Sequence, residues 1–488
     1  MFNTQTKILK NKLEVITIPL PALKSVTALL VVNTGSRFEN KSQFGVAHLL
    51  EHLVFKGTRA YPTSLELSIA LDSVGAVSNA FTSKESTGYY VTVASKHLPL
   101  SLKILKELIF YPLLRDEDIE AEKLVVAEEI RMHRDAPDDF ISDEFEQMVY
   151  QGSGLGHPIS GDLKSVASLN AKKLTGFLND WYGLENMVLV IAGDAQVLTR
   201  ADFFNEVEAI FNSRPEGREQ PKGRNQSEGR EQSERREQLE KQVGGFAEQA
   251  SRSRKHSNSP QQTSLHQQVN SPQQTSLHQQ ANPHQQTNPH QQKRDSFLSD
   301  NPISSRKLIR HERATEQAHL VLGWPALRRG DPQRFALTVL STVLGGNRSS
   351  RLFDVVREQA GLAYYVYSEV SQYHDGGMFG ASAGVNSERV EEAIKIIVNE
   401  FIKIADGTQP VTAEELKRAK DYLIGKIFLS LEHSYSVAQQ YGLSKTLLGR
   451  IEDPDDIIAE IKKVSLKQLQ RLAEQIIKKD QVRVAMVK

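Results

Sequence analysis

Residues 45–58 read Gly45-Val46-Ala47-His48-Leu49-Leu50-Glu51-His52-Leu53-Val54-Phe55-Lys56-Gly57-Thr58. The apolar residues recur at helical spacing, and Gly57 is a typical position for such a helix to stop. His48 and His52 are four residues apart, so one helix face carries both imidazoles, which together can hold a zinc ion. Glu51 lies beside them and can take a proton from water bound to the metal. The stretch therefore predicts a helix that bears a metal-dependent hydrolytic site.

A plainer interpretation of this stretch is the polar edge of an ordinary amphipathic helix. The two histidines and the glutamate interrupt a run of valine, alanine and leucine. Polar groups buried there without partners would destabilise the fold. We therefore favour the metal site.

The third ligand of a catalytic zinc site cannot be a cysteine, because the chain has none. Candidates lie on a predicted helix that begins near Asp116 and contains Glu122, Glu128 and Glu129. At about 100° per residue, Glu122 and Glu129 share a face, whereas Glu128 points about 100° away. One carboxylate can bind the metal while another orients a ligand. A solvated acidic helix surface is the alternative.

Composition excludes several classes of protein. The 60 Lys and Arg balance the 60 Asp and Glu, so overall charge predicts no nucleic-acid partner. The absence of cysteine excludes a disulfide framework and a thiol nucleophile. No apolar run is long enough for a membrane span, and the first residues lack the pattern of a secretory signal. We expect a soluble protein with a cytoplasmic location.

A low-complexity segment divides the chain. The unit Asn-Ser-Pro-Gln-Gln-Thr-Ser-Leu-His-Gln-Gln begins at Asn258 and again at Asn270. Such polar repeats cannot bury enough apolar surface to fold, so we predict a disordered linker rich in Gln, Asn and His over residues 214–305. Its histidines can bind metal weakly, although a duplicated polar repeat is the simpler interpretation. The linker separates an N-terminal domain, residues 1–213, from a C-terminal domain, residues 306–488.

The two domains show the same order of elements. Each begins with apolar strands, and each ends with a helix followed by a last strand. In both, an apolar helix precedes a helix that starts with acidic residues: Leu102–Ile109 before Asp116–Ile130, and Ala393–Ile402 before Thr412–Ile427. This recurrence predicts an α+β fold made of two similar α/β sandwich halves, each a mostly antiparallel sheet covered by helices.

The His-x-x-Glu-His order within residues 45–58 resembles the pitrilysin/insulinase family of inverted-motif zinc peptidases, and in particular its processing-peptidase branch. The resemblance extends over nearly the whole chain outside the linker, and it implies a duplicated clamshell in which only the first half carries the zinc motif. It also implies one Zn²⁺ per chain, with His48, His52 and Glu129 as ligands. Glu122 matches a second acidic position of the family, and Glu51 is the implied base.

Further segments match the family. Residues 79–87 resemble an edge strand that binds peptide, which assigns substrate binding to Asn79, Ala80, Phe81 and Thr82. Residues 350–364 resemble the second-domain signature, which assigns Arg357 and Tyr364 to the developing oxyanion and the peptide carbonyl. An ordinary polar strand and a surface arginine are the alternatives. Two departures are a short loop at residues 157–161 and the long linker.

The resemblance predicts a zinc endopeptidase that cleaves extended or unfolded peptides in a chamber between the two halves, with Glu51 activating a zinc-bound water. Family relatives of this size work in pairs, which implies a homodimer or a heterodimer with a related subunit. The alternative function is a non-catalytic subunit that holds peptides for a partner chain. The family's non-catalytic subunits have eroded zinc motifs, whereas the motif here is intact.

Overall fold

A computed structural model of the chain describes residues 2–212, 289–298, 304–305, 307–313 and 315–488. These residues build two β-sheets. The first contains strands β1 to β6, which are Gln5–Ile8, Glu14–Leu20, Ser25–Val32, Val77–Thr82, Thr87–Ala94 and Met187–Asp194. The second contains strands β7 to β11, which are Leu308–His311, Gln317–Ala326, Ala363–Gln372, Gly377–Asn386 and Arg483–Val487.

Apart from the extra edge strand β1 of the first sheet, the two sheets have the same topology. The strand order is β1-β2-β6-β3-β5-β4 in the first and β7-β11-β8-β10-β9 in the second. One parallel pair occurs at the same position in each, β2 with β6 and β11 with β7, and the other pairs are antiparallel. The predicted duplication of a mostly antiparallel sheet is thereby confirmed. The sheets end at corresponding strands, β4 and β9.

Helices follow the strands in a matching order in the two halves. In the described part of the chain their bounds are Val46–Leu53, Ser64–Asp72, Leu98–Phe110, Asp116–Asp135, Pro137–Val149, Leu163–Ala167, Ala171–Trp181, Ala195–Leu198, Phe203–Phe211, Pro289–Asp295, Arg334–Gly345, Val390–Ala405, Ala413–Ser430, Ser434–Leu448, Pro454–Lys463 and Leu466–Ile476. A π-helical segment spans Phe353–Gln359. Below, Val46–Leu53 is the motif helix and Asp116–Asp135 is the acidic helix.

The central strands are buried on both faces, as their nearly continuous apolar sequences require. One face of β3 packs into the core of the first half. Its other face, with Leu29 and Val31, packs against Val437, Ala438 and Tyr441 of the helix Ser434–Leu448. A helix from the second half therefore covers the sheet of the first half.

The reverse contact also exists. The helix Pro137–Val149 belongs to the first half by sequence, yet Ile141, Phe145 and Met148 on it pack against Val321 of the second sheet. The two halves thus exchange one helix each. This exchange was not predictable from the sequence, because an apolar helix face does not show which sheet it will cover.

Four charged side chains from both halves form what we call the cross-half ion cluster: Arg37, Glu85, Arg329 and Asp375. Arg37 donates from Nη1 to Glu85 Oε1 at 2.6 Å and from Nη2 to Asp375 Oδ2 at 2.8 Å. Arg329 donates to the second oxygen of Glu85. Glu85 lies in the turn between β4 and β5, and Asp375 lies in the corresponding turn between β9 and β10. The duplicated halves therefore meet at equivalent turns.

The last part of the predicted linker, residues 289–298, is ordered. It is helical over its first seven residues. Phe297 then packs its ring against Phe38 and Trp181 of the first half. Phe297 gives this part an aromatic contact that the repeats lack. The predicted disorder of residues 214–288 falls outside the described residues.

Each helix in the described ranges is too short or too polar to cross a bilayer.

Candidate metal centre

The motif helix begins at a glycine that the local packing requires. Gly45 has φ of 88°, in the left-handed region that side chains disfavour. A Cβ atom there would lie 2.6 Å from the backbone oxygen of Ser160. The helix ends at Leu53, four residues before the predicted stop at Gly57.

A buried glutamate holds the start of this helix. Glu39 accepts hydrogen bonds from the backbone nitrogens of Gly45 at 2.7 Å and Ala47 at 2.8 Å. The helix N-terminus and its unpaired N–H groups favour an acceptor at this place. Burial nevertheless raises the pKa of Glu39 to about 8. No capping signal at the usual spacing marks Glu39 in the sequence, because it acts from outside the helix.

The structure brings His48, His52 and Glu129 together. Glu129 Oε2 lies 3.6 Å from His48 Nε2 and 3.7 Å from His52 Nε2. One ligand atom from each residue can be chosen so that all three lie within 4.8 Å of one another, and each residue is partly exposed. The motif helix supplies the two histidines, and the acidic helix supplies the glutamate.

These distances fit a zinc ion. Two donors bound to one zinc at the usual lengths and a tetrahedral angle are about 3.4 Å apart. Two imidazole nitrogens and a carboxylate oxygen are donors that zinc accepts. All three residues are partly exposed, as the access of water and substrate to a hydrolytic site requires. The arrangement is therefore suited to a catalytic rather than a closed structural metal site.

The exposure of three glutamate side chains on the acidic helix agrees with their predicted positions around the helix axis. The side chain of Glu122 is 5% exposed and that of Glu129 26%, and both approach the histidines. The Glu128 side chain is 74% exposed and pairs with Arg131 at the surface. Glu128 therefore takes no part in the cluster.

Glu122 holds one of the candidate ligands, His52, in place. Its Oε2 lies 3.1 Å from His52 Nδ1, and its Oε1 lies 2.5 Å from Lys56 Nζ. When Nδ1 of His52 carries the proton, it donates to Glu122 and leaves the lone pair of Nε2 toward Glu129. Sequence reasoning missed Lys56, although its position four residues after His52 puts it on the same side of the helix end.

Replacing Glu122 by glutamine should weaken zinc binding by about 10- to 100-fold, because a neutral amide holds the His52 imidazole less strongly. Competition with a chromogenic zinc chelator measures this affinity. The matched control is Glu128→Gln, which makes the same change on the same helix away from the cluster. Equal zinc affinity in the Glu122 variant and the wild type would contradict the assigned role.

Strand β4 lies at the end of its sheet beside the motif helix. It contains the four residues predicted to bind substrate, Asn79, Ala80, Phe81 and Thr82. Thr82 donates a hydrogen bond from Oγ1 to Glu51 Oε2 at 2.6 Å. The end of the edge strand and the predicted base are therefore in direct contact.

The contacts that the structure gives Arg357 and Tyr364 do not include a residue of this cluster. Arg357 lies on the π-helical segment, 4.8 Å from the centroid of the Phe353 ring and 3.9 Å from the carboxylate of Glu358. Tyr364 is the second residue of β9 and is 60% exposed. Both belong to the second half, and their predicted role stays a prediction.

One further histidine lies next to the cluster. His133 Nε2 is 3.9 Å from Glu129 Oε1, and His133 Nδ1 is 3.3 Å from Asp139 Oδ2. His133 was not among the predicted site residues. Its spacing of four residues from Glu129 on one helix is the signal that would have found it.

Comparisons with known proteins give a consistent result for both halves. The sequence model described as "Insulinase (Peptidase family M16)" matches residues 14–163. The model described as "Peptidase M16 inactive domain" matches residues 270–423. The chain is 30% identical over 461 residues to an uncharacterized zinc protease of Bacillus subtilis, YmxG, which covers 94% of this chain and 92% of the relative.

Other relatives agree. An uncharacterized zinc protease of Streptomyces coelicolor is 30% identical over 472 residues, covering 95% of this chain and 85% of the relative. The crystal structure of a protease from Helicobacter pylori has a TM-score of 0.76 at 20% identity and covers 100% of both chains. A structure titled as a peptidase M16 inactive domain, from Pseudomonas fluorescens, has a TM-score of 0.75 at 18% identity, over 99% of this chain and 97% of that one. The two structures support the fold alone.

Proposed function

This chain belongs to the insulinase family of peptidases, M16, and on that premise we propose that it is a zinc-dependent endopeptidase acting on extended or unfolded peptides. The observation that carries the proposal is the approach of His48, His52 and Glu129 within 4.8 Å of one another, with Glu51 on the same helix as the histidines. The names of relatives as zinc proteases support the same chemistry.

His48, His52 and Glu129 would hold a zinc ion, which would supply Lewis-acid polarisation of the peptide carbonyl and would acidify the attacking water. Glu51 then accepts a proton from the attacking water at its carboxylate. It delivers that proton to the nitrogen of the departing amine, so the base becomes the acid of the second step. Glu122 keeps the imidazole of His52 oriented throughout.

The proposed substrate site is the open edge of β4. An edge strand presents unpaired N–H and C=O groups, to which an extended peptide can add as a further strand. Binding through the backbone favours peptides without stable structure over one fixed side-chain sequence. In this proposal Asn79, Ala80, Phe81 and Thr82 supply the strand on which the peptide aligns.

The second half supplies Arg357 and Tyr364 in the proposal, which stabilise the charge that develops on the carbonyl oxygen. A chamber between the two halves, pairing with a second subunit and a cytoplasmic location stay predictions. The family description of the second half as an inactive domain agrees with its lack of a His-x-x-Glu-His motif.

Chelation tests the proposal directly. The purified full-length chain should contain about one zinc ion and should cleave denatured casein, because unfolded casein offers extended backbone. Cleavage should stop with 1,10-phenanthroline and return when zinc is added back. Native, tightly folded proteins serve as the substrate control and should resist cleavage.

Two results would contradict the proposed endopeptidase activity. Cleavage that continues in a chain freed of metal would exclude the zinc mechanism. A chain that binds zinc and denatured casein without cleaving it would instead support the alternative, a peptide-holding subunit.

A further inference from the structure

We propose that Thr82 is a positioning residue for Glu51, an inference that rests on the proposed function. Thr82 is the last residue of β4, and its hydroxyl donates to Glu51 Oε2 at 2.6 Å in a partly buried contact. A hydrogen bond to a carboxylate is stronger than one between neutral groups. It restrains the glutamate side chain, whose terminal torsion is otherwise broad.

The alternation of side chains along β4 explains why Thr82 faces the motif helix. Ala80 packs against the core of the first half, which contains the apolar residues of the motif helix. Phe81 packs against the cluster on the opposite face of the sheet. Because successive side chains point to opposite faces, Thr82 shares the face of Ala80. Its backbone stays at the sheet edge while its hydroxyl reaches the base.

This placement gives Thr82 a different role from the other residues of the strand. In the proposed binding mode the backbone of β4 aligns the peptide, whereas the Thr82 side chain contacts Glu51 and not the peptide. One residue therefore connects the strand that receives the substrate to the carboxylate that moves the proton. Because Thr82 aligns the carboxylate of Glu51, we expect it to affect the rate of proton transfer rather than the affinity for the peptide.

Neighbouring hydrogen bonds fix the positions of the strand end that carries Thr82 and of the helix that carries Glu51. Directly after Thr82, the turn to β5 is fixed by Glu85 in the cross-half ion cluster, where it accepts from Arg37 at 2.6 Å. Two residues after Arg37, Glu39 accepts from the first backbone nitrogens of the motif helix. The strand end and the helix start are thus attached to the same short segment. We therefore expect little shift of the strand when the hydroxyl of Thr82 is removed.

The test compares Thr82→Val, which keeps the shape and removes the hydroxyl, with Thr82→Ser, which keeps the hydroxyl. The substrate is a fluorogenic peptide built on a casein site that the wild type cleaves. Thr82→Val should lower kcat by about 10- to 100-fold, the worth of one hydrogen bond to a charged group, with KM changed less than about threefold. Thr82→Ser should restore kcat to within about threefold of the wild type.

Thr87→Val is the matched control. Thr87 lies directly opposite Thr82 in the strand pair, and its hydroxyl donates to the backbone oxygen of Thr34 at 3.0 Å. This variant loses a threonine hydroxyl from the same sheet without touching Glu51. It should lower the melting temperature and leave kcat unchanged.

Three kinetic results would overturn the inference. These are a wild-type kcat in Thr82→Val, a loss of kcat in Thr82→Ser as large as that in Thr82→Val, and a rise in KM at constant kcat. Crystal structures of the wild type and Thr82→Val give a readout that needs no activity. The Glu51 carboxylate should leave its position in the variant, and an unchanged carboxylate would also overturn the inference. Cleavage that survives Glu51→Gln would instead contradict the proposed function, so the two failures are distinguishable.

Discussion

Replacing Glu51 by glutamine is expected to lower turnover of an unfolded peptide by about 10³-fold, because general acid–base catalysis contributes on that scale. The amide has the size of the carboxylate and can still accept the hydrogen bond that Thr82 donates to Oε2. It cannot take a proton from water. The chemical step should therefore fail while the fold is kept.

The zinc content of the variant shows whether turnover is lost because the base is missing or because the metal is missing. Glu51 is not among the three residues whose donor atoms converge, so the variant should bind zinc as the wild type does. Glu128→Gln again provides the matched control, since it makes the same substitution at an exposed position. Undiminished turnover in the Glu51 variant would contradict the assignment of Glu51 as the base.

Replacing Glu85 by glutamine is expected to destabilise the fold by about 3–5 kcal/mol, the cost of breaking a buried ion pair by removing one partner. Glu85 is 1% exposed and receives hydrogen bonds from Arg37 and Arg329. With a neutral amide in its place, the buried guanidinium of Arg37 keeps Asp375 as an ionic partner, and the half-buried Arg329 loses the carboxylate that it contacts. Unfolding by urea, followed by circular dichroism, measures the loss.

The pH dependence of stability gives a second readout of the same contact. Burial raises the pKa of Glu85, but Arg329 and Arg37 outweigh burial and hold the pKa below its ordinary value. A lowered pKa stabilises the fold fully above the ordinary glutamate pKa, and this contribution is lost as the pH falls through the lowered value. The wild type should therefore lose more stability in acid than Glu85→Gln does.

Glu392→Gln is the control for this prediction. Glu392 pairs with Arg389 through two hydrogen bonds of 2.8 Å, but the pair is exposed to solvent. Exposed pairs contribute little to stability. A loss in Glu392→Gln as large as that in Glu85→Gln would contradict the importance of burial.

The part of the site that lies on regular helices was predictable from sequence. The spacing of His48 and His52 and the two-turn spacing of Glu122 and Glu129 depend only on helix geometry, and the structure brings these residues to one place. The duplicated sheet was predictable as well, because the apolar strands recur in the same order in both halves.

The contacts between the halves were not predictable from local patterns. Arg37 and Asp375 are separated by 338 positions. Arg37 lies in a single 3-10 turn and Asp375 in a turn between two strands, where charged residues ordinarily face solvent. Nothing in the sequence near Arg37 shows that a loop from the other half will cover it. The same reason applies to Phe297, whose partner Trp181 lies on the far side of the linker.

The exchange of helices has a consequence for how the protein unfolds. If the second half came apart, the helix Ser434–Leu448 would leave, and water would reach Leu29 and Val31 of the first sheet. If the first half came apart, Val321 of the second sheet would lose the cover of Phe145 and Met148. Each half therefore stabilises the other by withholding apolar surface from water. We therefore expect the two halves, although each has its own sheet, to unfold together in one cooperative transition.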